Sequence, residues 1–240
     1  MLCAERSSAH GCQQKRLNIY SLYNMDSLLQ SLNTTDEVIN LMALVNRKHF
    51  TMNQSHAYRD SPSPLTDNQT ISAPHMHAKA LEYMWPVLMR PNSHVLDIGS
   101  GSGYLTACFG YACKVFHPIH TKRGNVIGVD IYKNLVTFSN KVISKHYPEL
   151  KTYTRSFTIE HNDGYYGIPE KSNKEIYDGI HIGAACESFP THLYNQLKKG
   201  GIMVAPLRQN HQLHFCIIKK DENGKKTIHE TGLVNYVPLV

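Results

Sequence analysis

The stretch from His94 to Leu105, H-V-L-D-I-G-S-G-S-G-Y-L, constrains this chain more than any other. Val95, Leu96 and Ile98 are β-favouring apolar residues around Asp97, and they run into Gly99, Gly101 and Gly103 at alternate positions. That pattern is a strand, a tight turn and the start of a helix. Alternating glycines let the turn adopt positive φ and remove the Cβ atoms that would keep a ligand off the backbone. The turn either cradles a bound group or is a plain strand-to-helix connection.

Spacing narrows the ligand. A dinucleotide fingerprint, G-x-G-x-x-G, would need its third glycine where Tyr104 stands, and a phosphate-binding loop would need a Lys-Ser/Thr pair that is missing here. G-x-G-x-G behind a strand that carries Asp97 instead resembles the first motif of S-adenosylmethionine methyltransferases, whose ligand has an amino-acid tail and no pyrophosphate. Val126 to Val129 reads as a second buried strand ending at Asp130. An acid at that place in a doubly wound fold binds ribose hydroxyls, usually ~20 residues after the glycines. Asp130 lies further on, so a long excursion intervenes. Between Cys108 and Asn125, the residues Pro118, Thr121 and Gly124 break up a basic stretch that reads as a surface loop.

A chain of 240 residues has room for one domain and a substantial core. Its net charge of +6 favours anionic partners in general, but no Lys/Arg block is long enough to indicate nucleic acid. Six scattered cysteines without C-x-x-C pairs read as reduced thiols, which suggests a cytoplasmic setting. No apolar run approaches the ~20 residues that span a bilayer, and residues 1–24 are polar and aperiodic, an extension ahead of a single domain at 25–240.

Along that domain, Asp26 or Ser27 is expected to cap a short helix through Leu32, and Thr34 with Glu37 forms a capping-box pattern before a helix from Asp36 to about Asn46. These two helices are expected to cover the ligand end of the sheet. Phe50 to Thr70 reads as loop, Ser72 as the cap of a helix with Pro74 in its first turn, and Pro86 as a kink or early end. A crossover helix from Asn134 to Tyr147 and strands at Phe157–Glu160, Ile176–Ile182 and Ile202–Leu207 follow. A helix from Phe189 to Leu197 is expected to close on Lys198-Lys199-Gly200-Gly201. Leu213–Lys219 and the segment from Thr227 make a hairpin. The expected fold is a doubly wound, Rossmann-like α/β sheet, mostly parallel, with an antiparallel C-terminal edge and helices on both faces.

Further blocks identify a family. Tyr58-Arg59-Asp60-Ser61-Pro62, Gln69-Thr70-Ile71-Ser72-Ala73-Pro74-His75-Met76-His77-Ala78, the glycine turn, Asp163-Gly164, Tyr177 to Ala185, Gln196 to Gly201 and Tyr236-Val237-Pro238-Leu239 together resemble the protein-L-isoaspartate (D-aspartate) O-methyltransferases from about Asp36 to Leu239. The glycine motif is shared by many methyltransferases, whereas T-I-S-A-P-H-M-H is far more specific. The resemblance implies transfer of a methyl group from S-adenosylmethionine to the α-carboxylate of L-isoaspartyl, and less well D-aspartyl, residues in damaged proteins. The ester then closes to a succinimide that reopens partly to aspartate. It implies Ser72 as the active-site hydroxyl, with Gln69, Thr70, Ile71 and His77 bordering cofactor or carboxylate. It further implies Asp97, Gly99, Ser100, Gly101 and Ser102 around the methionine end, Asp130 and Ile131 at the ribose, and Asp163 with Gly164 at the adenine. A monomer with no metal, nucleic-acid or membrane partner is expected.

Plainer readings accompany each residue. Ser72 could be only a helix cap, Asp163 only a turn residue, His181 a hydrogen-bonded core histidine and Cys186 inert packing. His75 and His77 form an H-x-H without a third ligand in recognisable spacing. A methyltransferase of small molecules or RNA, and a non-catalytic S-adenosylmethionine-binding or nucleic-acid-binding module, are the alternative functions. Leu65-Thr66-Asp67-Asn68, Tyr165 and the long excursion depart from the family pattern.

Overall fold

The computed structural model describes residues 24–115, 124–154, 156–166 and 174–239. Residues 1–23 of the expected extension at 1–24, and 116–123 at the centre of the long excursion, lie outside the described residues. A seven-stranded sheet organises the rest. Its strands are β3 (His94–Ile98), β4 (Asn125–Asp130), β5 (Ser156–His161), β6 (Tyr177–Ile182), β7 (Leu197–Gln209), β8 (Gln212–Lys220) and β9 (Lys226–Leu233). They lie in the order β5-β4-β3-β6-β7-β8-β9, parallel from β5 to β7 and antiparallel from there outward. This is the expected doubly wound sheet, with two antiparallel strands at one edge.

The chain winds outward from β3 to β5, then returns to the other flank of β3 with β6. Crevices for ligands open at such a reversal, beyond the carboxyl ends of the strands. The central strands are buried on both sides, so neighbouring residues feed different cores. Val95 packs with α3 (Pro74–Leu88), α4 (Tyr104–Val115) and α5 (Lys133–His146), while Leu96 and Ile98 pack on the opposite side with Leu193 of α7 (Thr191–Gln196).

Local chemistry corrects several expectations. Asn24, not Asp26 or Ser27, caps α1 (Met25–Ser31), its side chain accepting from Ser27 N at 2.7 Å. Thr35, not Thr34, caps α2 (Asp36–Ala43), leaving the Thr34 hydroxyl free to donate to Glu82 at 2.9 Å. α2 ends at Ala43, and a 3-10 turn at Arg47–Phe50 follows. α1 and α2 pack together, with α2 against α3 and α4, and neither contributes residues to the cavity walls described below.

The expected loop before Ser72 contains a small hairpin, β1 (Ser63–Pro64) with β2 (Thr70–Ile71). Its turn holds Asp67 and Asn68 at φ 57° and 56°, the left-handed region that short polar side chains tolerate best. The Leu65–Asn68 departure therefore builds a tight turn. Ala73, with no side-chain bond, occupies the cap position of α3, so Ser72 is not its cap. The Asp60 carboxylate accepts from His75 N instead, at 2.9 Å. α3 runs through Pro86 to Leu88 without ending early.

The segment from Cys108 to Val115 continues α4, with Cys108, Phe109, Ala112 and Cys113 buried, rather than belonging to a surface loop. α7 is shorter than expected. Lys198 to Gly201 belong to β7, where Gly200 keeps the left-handed φ of 73° at the irregular start of the β6–β7 pairing instead of closing a helix.

Candidate active site

The glycine turn leaves β3 at the reversal point. Gly99, Gly101 and Gly103 have φ of 67°, 54° and 84°, conformations that a side chain would strain. Gly183, the residue after β6, donates its N–H to the Ile98 carbonyl at 2.7 Å, and a Cβ on it would stand 2.7 Å from the Gly99 oxygen. Two backbones thus close to a distance that only glycine permits.

The acids that end β3 and β4 serve this turn. β6 is in register with β3 so that His181 lies beside Asp97, and its Nδ1 is 2.7 Å from Asp97 Oδ1. Thr106 donates to the other oxygen at 2.5 Å. Asp97 therefore sits with both oxygens engaged, and His181 is the hydrogen-bonded buried histidine that the sequence suggested. Asp130 accepts from Gly101 N at 2.8 Å and Tyr132 N at 2.9 Å, fixing the middle of the turn. Burial raises its pKa and those two amides oppose the rise.

Three cavities meet around this framework, and Thr70 and Gly183 line all three. The first, enclosed by Ser72, His77, Asp97, Gly99, Ser100, Gly101 and Ser102, is polar and narrow. Ser100 Oγ is buried there without a hydrogen-bond partner among the described residues. The second runs from Gly99 past Gln69, Asp130, Ile131 and Gly164 to Val237, Pro238 and Leu239. The C-terminal segment is pinned across it by Ala185 N to the Val237 carbonyl at 2.7 Å and Leu239 N to the Ala185 carbonyl at 2.8 Å. The third, about 570 Å³, opens on the other side of Ser72 between Pro62, α3, Phe215 and residues 231–237.

The structure thus brings Gln69, Thr70, Ser72, His77, Asp97, Gly99, Ser100, Gly101, Ser102, Asp130, Ile131 and Gly164 together, with Ile71 buried behind them yet lining the first cavity. Asp163 stands apart. Exposed, it accepts from Tyr165 N at 2.9 Å, the arrangement of a turn residue. Cys186 is buried and its thiol pushed up to about 12 by that burial, consistent with packing. His75 and His77 take separate partners, Asp60 and Arg47.

Sequence reasoning missed Arg47 and Tyr236. Arg47 is 1% exposed; it donates from Nη2 to the Ser72 carbonyl at 2.8 Å, and its Nη1 lies 3.3 Å from His77 Nδ1. A guanidinium only donates, so His77 Nδ1 is the acceptor and the imidazole proton sits on Nε2. Burial lowers the Arg47 pKa to about 10, leaving it charged at neutral pH, and drives that of His77 well down, with the Arg47 charge adding to the effect. Tyr236 lines the large cavity together with Ser72, and burial pushes its phenol up to about 12. The Ser72 carbonyl is held by Arg47, and its side chain shares the cavity wall with Tyr236. In sequence Arg47 is one basic residue in a polar run, with no local signal, whereas Tyr236 stands in the Tyr-Val-Pro-Leu block without an evident role.

A sequence model of the family described as protein-L-isoaspartate(D-aspartate) O-methyltransferase (PCMT) matches residues 25–240. The chain belongs to this family. It is 40% identical over 208 residues to protein-L-isoaspartate O-methyltransferase 1 of Arabidopsis thaliana, covering 86% of this chain and 84% of that one. It is 39% identical over 184 residues to the Caenorhabditis elegans protein-L-isoaspartate O-methyltransferase, 76% of each. Among solved structures, a Plasmodium falciparum chain assigned as a protein-L-isoaspartate O-methyltransferase, in complex with S-adenosyl-L-homocysteine, superposes with a TM-score of 0.80 at 31% identity. The superposition covers 90% of this chain and 98% of that one.

The residues present fit such a ligand. The unpartnered Ser100 hydroxyl, the positive-φ glycines and the apolar edge at Ile131 and Leu135 offer polar contacts at one end of the cleft and apolar ones at the other. No helix among the described residues is long and apolar enough to cross a membrane.

Proposed function

We infer that this protein repairs damaged proteins by methylating the α-carboxylate of L-isoaspartyl residues, and more slowly D-aspartyl ones, with S-adenosylmethionine as donor. The observation that carries this reading is the junction at Thr70, Ser72 and Gly183, where the 570 Å³ cavity meets the narrow cleft over the glycine turn. Membership of the family supplies the substrate class.

The chain's task is small in chemistry and large in alignment. A carboxylate is ionised at neutral pH and is its own nucleophile, so no general base is required. When bound, S-adenosylmethionine supplies a methyl group on a sulfonium, which leaves as the neutral thioether. Ser100 and Ser102 would hold its amino-acid end, Asp130 and Ile131 would border the ribose, and Gly164 with Val237 to Leu239 would flank the adenine side. The Ser72 and Tyr236 hydroxyls, both on the lining of the large cavity, receive the substrate carboxylate, with one oxygen toward the junction. Ala73, Met76, Phe215 and Val237 in the same cavity exclude water from it.

His75 N, the first free amide of α3, is already taken by Asp60, so the helix start contributes less to carboxylate binding than its place in the sequence suggests. After transfer, the ester is open to attack by the amide nitrogen of the next peptide unit, which expels methanol and forms the succinimide. We further propose that the enzyme works as a monomer in a reducing, cytosol-like compartment. The four described cysteines, all free and buried, support the latter.

The test is labelled methyl transfer to an isoaspartyl peptide and its aspartyl twin. Incorporation into the first alone is expected. Equal labelling of both, or of neither while a small molecule or RNA is labelled, would overturn the reading.

A further inference from the structure

The wall of the large cavity carries one side chain with a fixed charge among its described lining residues, Lys79. His75, one helical turn earlier on α3, faces the same cavity but is held by Asp60 at 2.9 Å. No ion pair or hydrogen bond engages the Lys79 ammonium among the described residues, and no acid lines the cavity. The remaining wall is apolar or neutral, formed by Met76, Phe215, Leu233, Asn235 and Tyr236. An unneutralised cation beside apolar surface is a place where an incoming anion gains more than it would in bulk water.

Position decides which anion. Lys79 lies five residues beyond Pro74, the first residue of α3, which at 1.5 Å per residue places it roughly 7 Å further along the helix than the end near Ser72. An extended peptide advances about 3.3 Å per residue. With the reacting carboxylate at Ser72, Lys79 is within reach of a side chain one or two residues away, not of the reacting group itself.

We propose that Lys79 is a specificity-determining residue that selects isoaspartyl sites flanked, within two residues, by an acidic side chain. This rests on the carboxyl-methyltransferase reading above and adds a substrate preference to it. The ammonium pairs with the flanking carboxylate at the cavity wall and draws the peptide into the register that places the isoaspartyl group at the junction. The preference weakens as salt rises, because part of the pair faces solvent.

The experiment compares kcat/KM for amidated isoaspartyl peptides carrying Glu, Gln or Lys at each of the four flanking positions. Amidation removes the terminal carboxylate as a competing anion. The unaltered enzyme is expected to favour Glu over Gln at one or two positions by about three- to tenfold, the range of a partly exposed ion pair. Lys79→Gln is expected to bring that ratio near one, and Lys79→Glu to invert it in favour of the lysyl peptide. Equal kcat/KM for Glu and Gln peptides in the unaltered enzyme overturns the proposal while leaving the methyltransferase reading intact. So does a Lys79→Gln variant that lowers all peptides alike, which would assign Lys79 to the reacting carboxylate or to general structure. Failure to label the Gln peptide at all counts against the methyltransferase reading itself.

Discussion

The two halves of the site are built on different terms. The cleft over the glycine turn is made largely of backbone, with Gly99, Gly101 and Gly183 brought together by the pairing of β3 and β6 and fixed by Asp97 and Asp130 from the strand ends. The large cavity gathers Pro62, α3, Phe215 and residues 231–237 from separate parts of the chain. Its reactive corner depends on side chains, with Arg47 holding the Ser72 carbonyl and Tyr236 beside Ser72 on the cavity wall. The first half should therefore fail when a Cβ is added, and the second when a side chain is taken away.

The sharpest break of that contrast is Gly183→Ala. The new Cβ meets the Gly99 oxygen, a backbone atom that can yield only if β3 and β6 separate. Displacement on the ångström scale costs about a hundredfold in a positioned reaction, so S-adenosylhomocysteine affinity and turnover should both fall by roughly that factor. Calorimetry and steady-state rates check this, and an unchanged dissociation constant would show that the close approach is not needed.

Arg47→Ala removes a buried cation and leaves the Ser72 carbonyl without its donor. Loss of stability by about 2–4 kcal/mol in denaturant unfolding is expected, with turnover on an isoaspartyl peptide falling alongside it.

Ser72→Ala isolates the hydroxyl. Losing one hydrogen bond to a charged group should lower kcat about ten- to a hundredfold, with S-adenosylhomocysteine affinity shifted less than about threefold. Unaltered turnover would remove Ser72 from the mechanism.

His77 gives the smallest effect. Burial keeps it neutral in the fold, whereas the unfolded histidine takes up a proton below about pH 6.5, so the unfolded state gains and stability falls as pH drops through that value. The slope from this one group is at most about 1.4 kcal/mol per pH unit, and His77→Gln should flatten the pH dependence of unfolding by that amount.

The same contrast governs what the sequence revealed. The strands, the glycine turn and the two strand-end acids were legible because periodicity and local chemistry specify them within a few residues of one another. So was the T-I-S-A-P-H-M-H block, through resemblance. The partners of Ser72 were not. Arg47 reaches its carbonyl from 25 residues before and Tyr236 joins its cavity from the far end of the chain, placements set by packing that no local pattern encodes.

Caps went astray for a related reason. Thr34 satisfies a capping pattern as well as Thr35 does, and the choice fell to Glu82 on α3, which takes the Thr34 hydroxyl. Ser72 lost its cap role to a carboxylate from another loop, Asp60. Asp163, expected at the adenine by resemblance, also accepts from Tyr165 N in its own turn.

The account rests on two ligands approaching from opposite sides of Ser72. A crystal structure with S-adenosylhomocysteine and an isoaspartyl peptide together is the most direct test. The peptide α-carboxylate should lie in the large cavity within hydrogen-bonding distance of Ser72 Oγ, with the sulfur across the Thr70–Gly183 junction. A peptide bound elsewhere, or a sulfur screened from the carboxylate by the C-terminal segment, would contradict it.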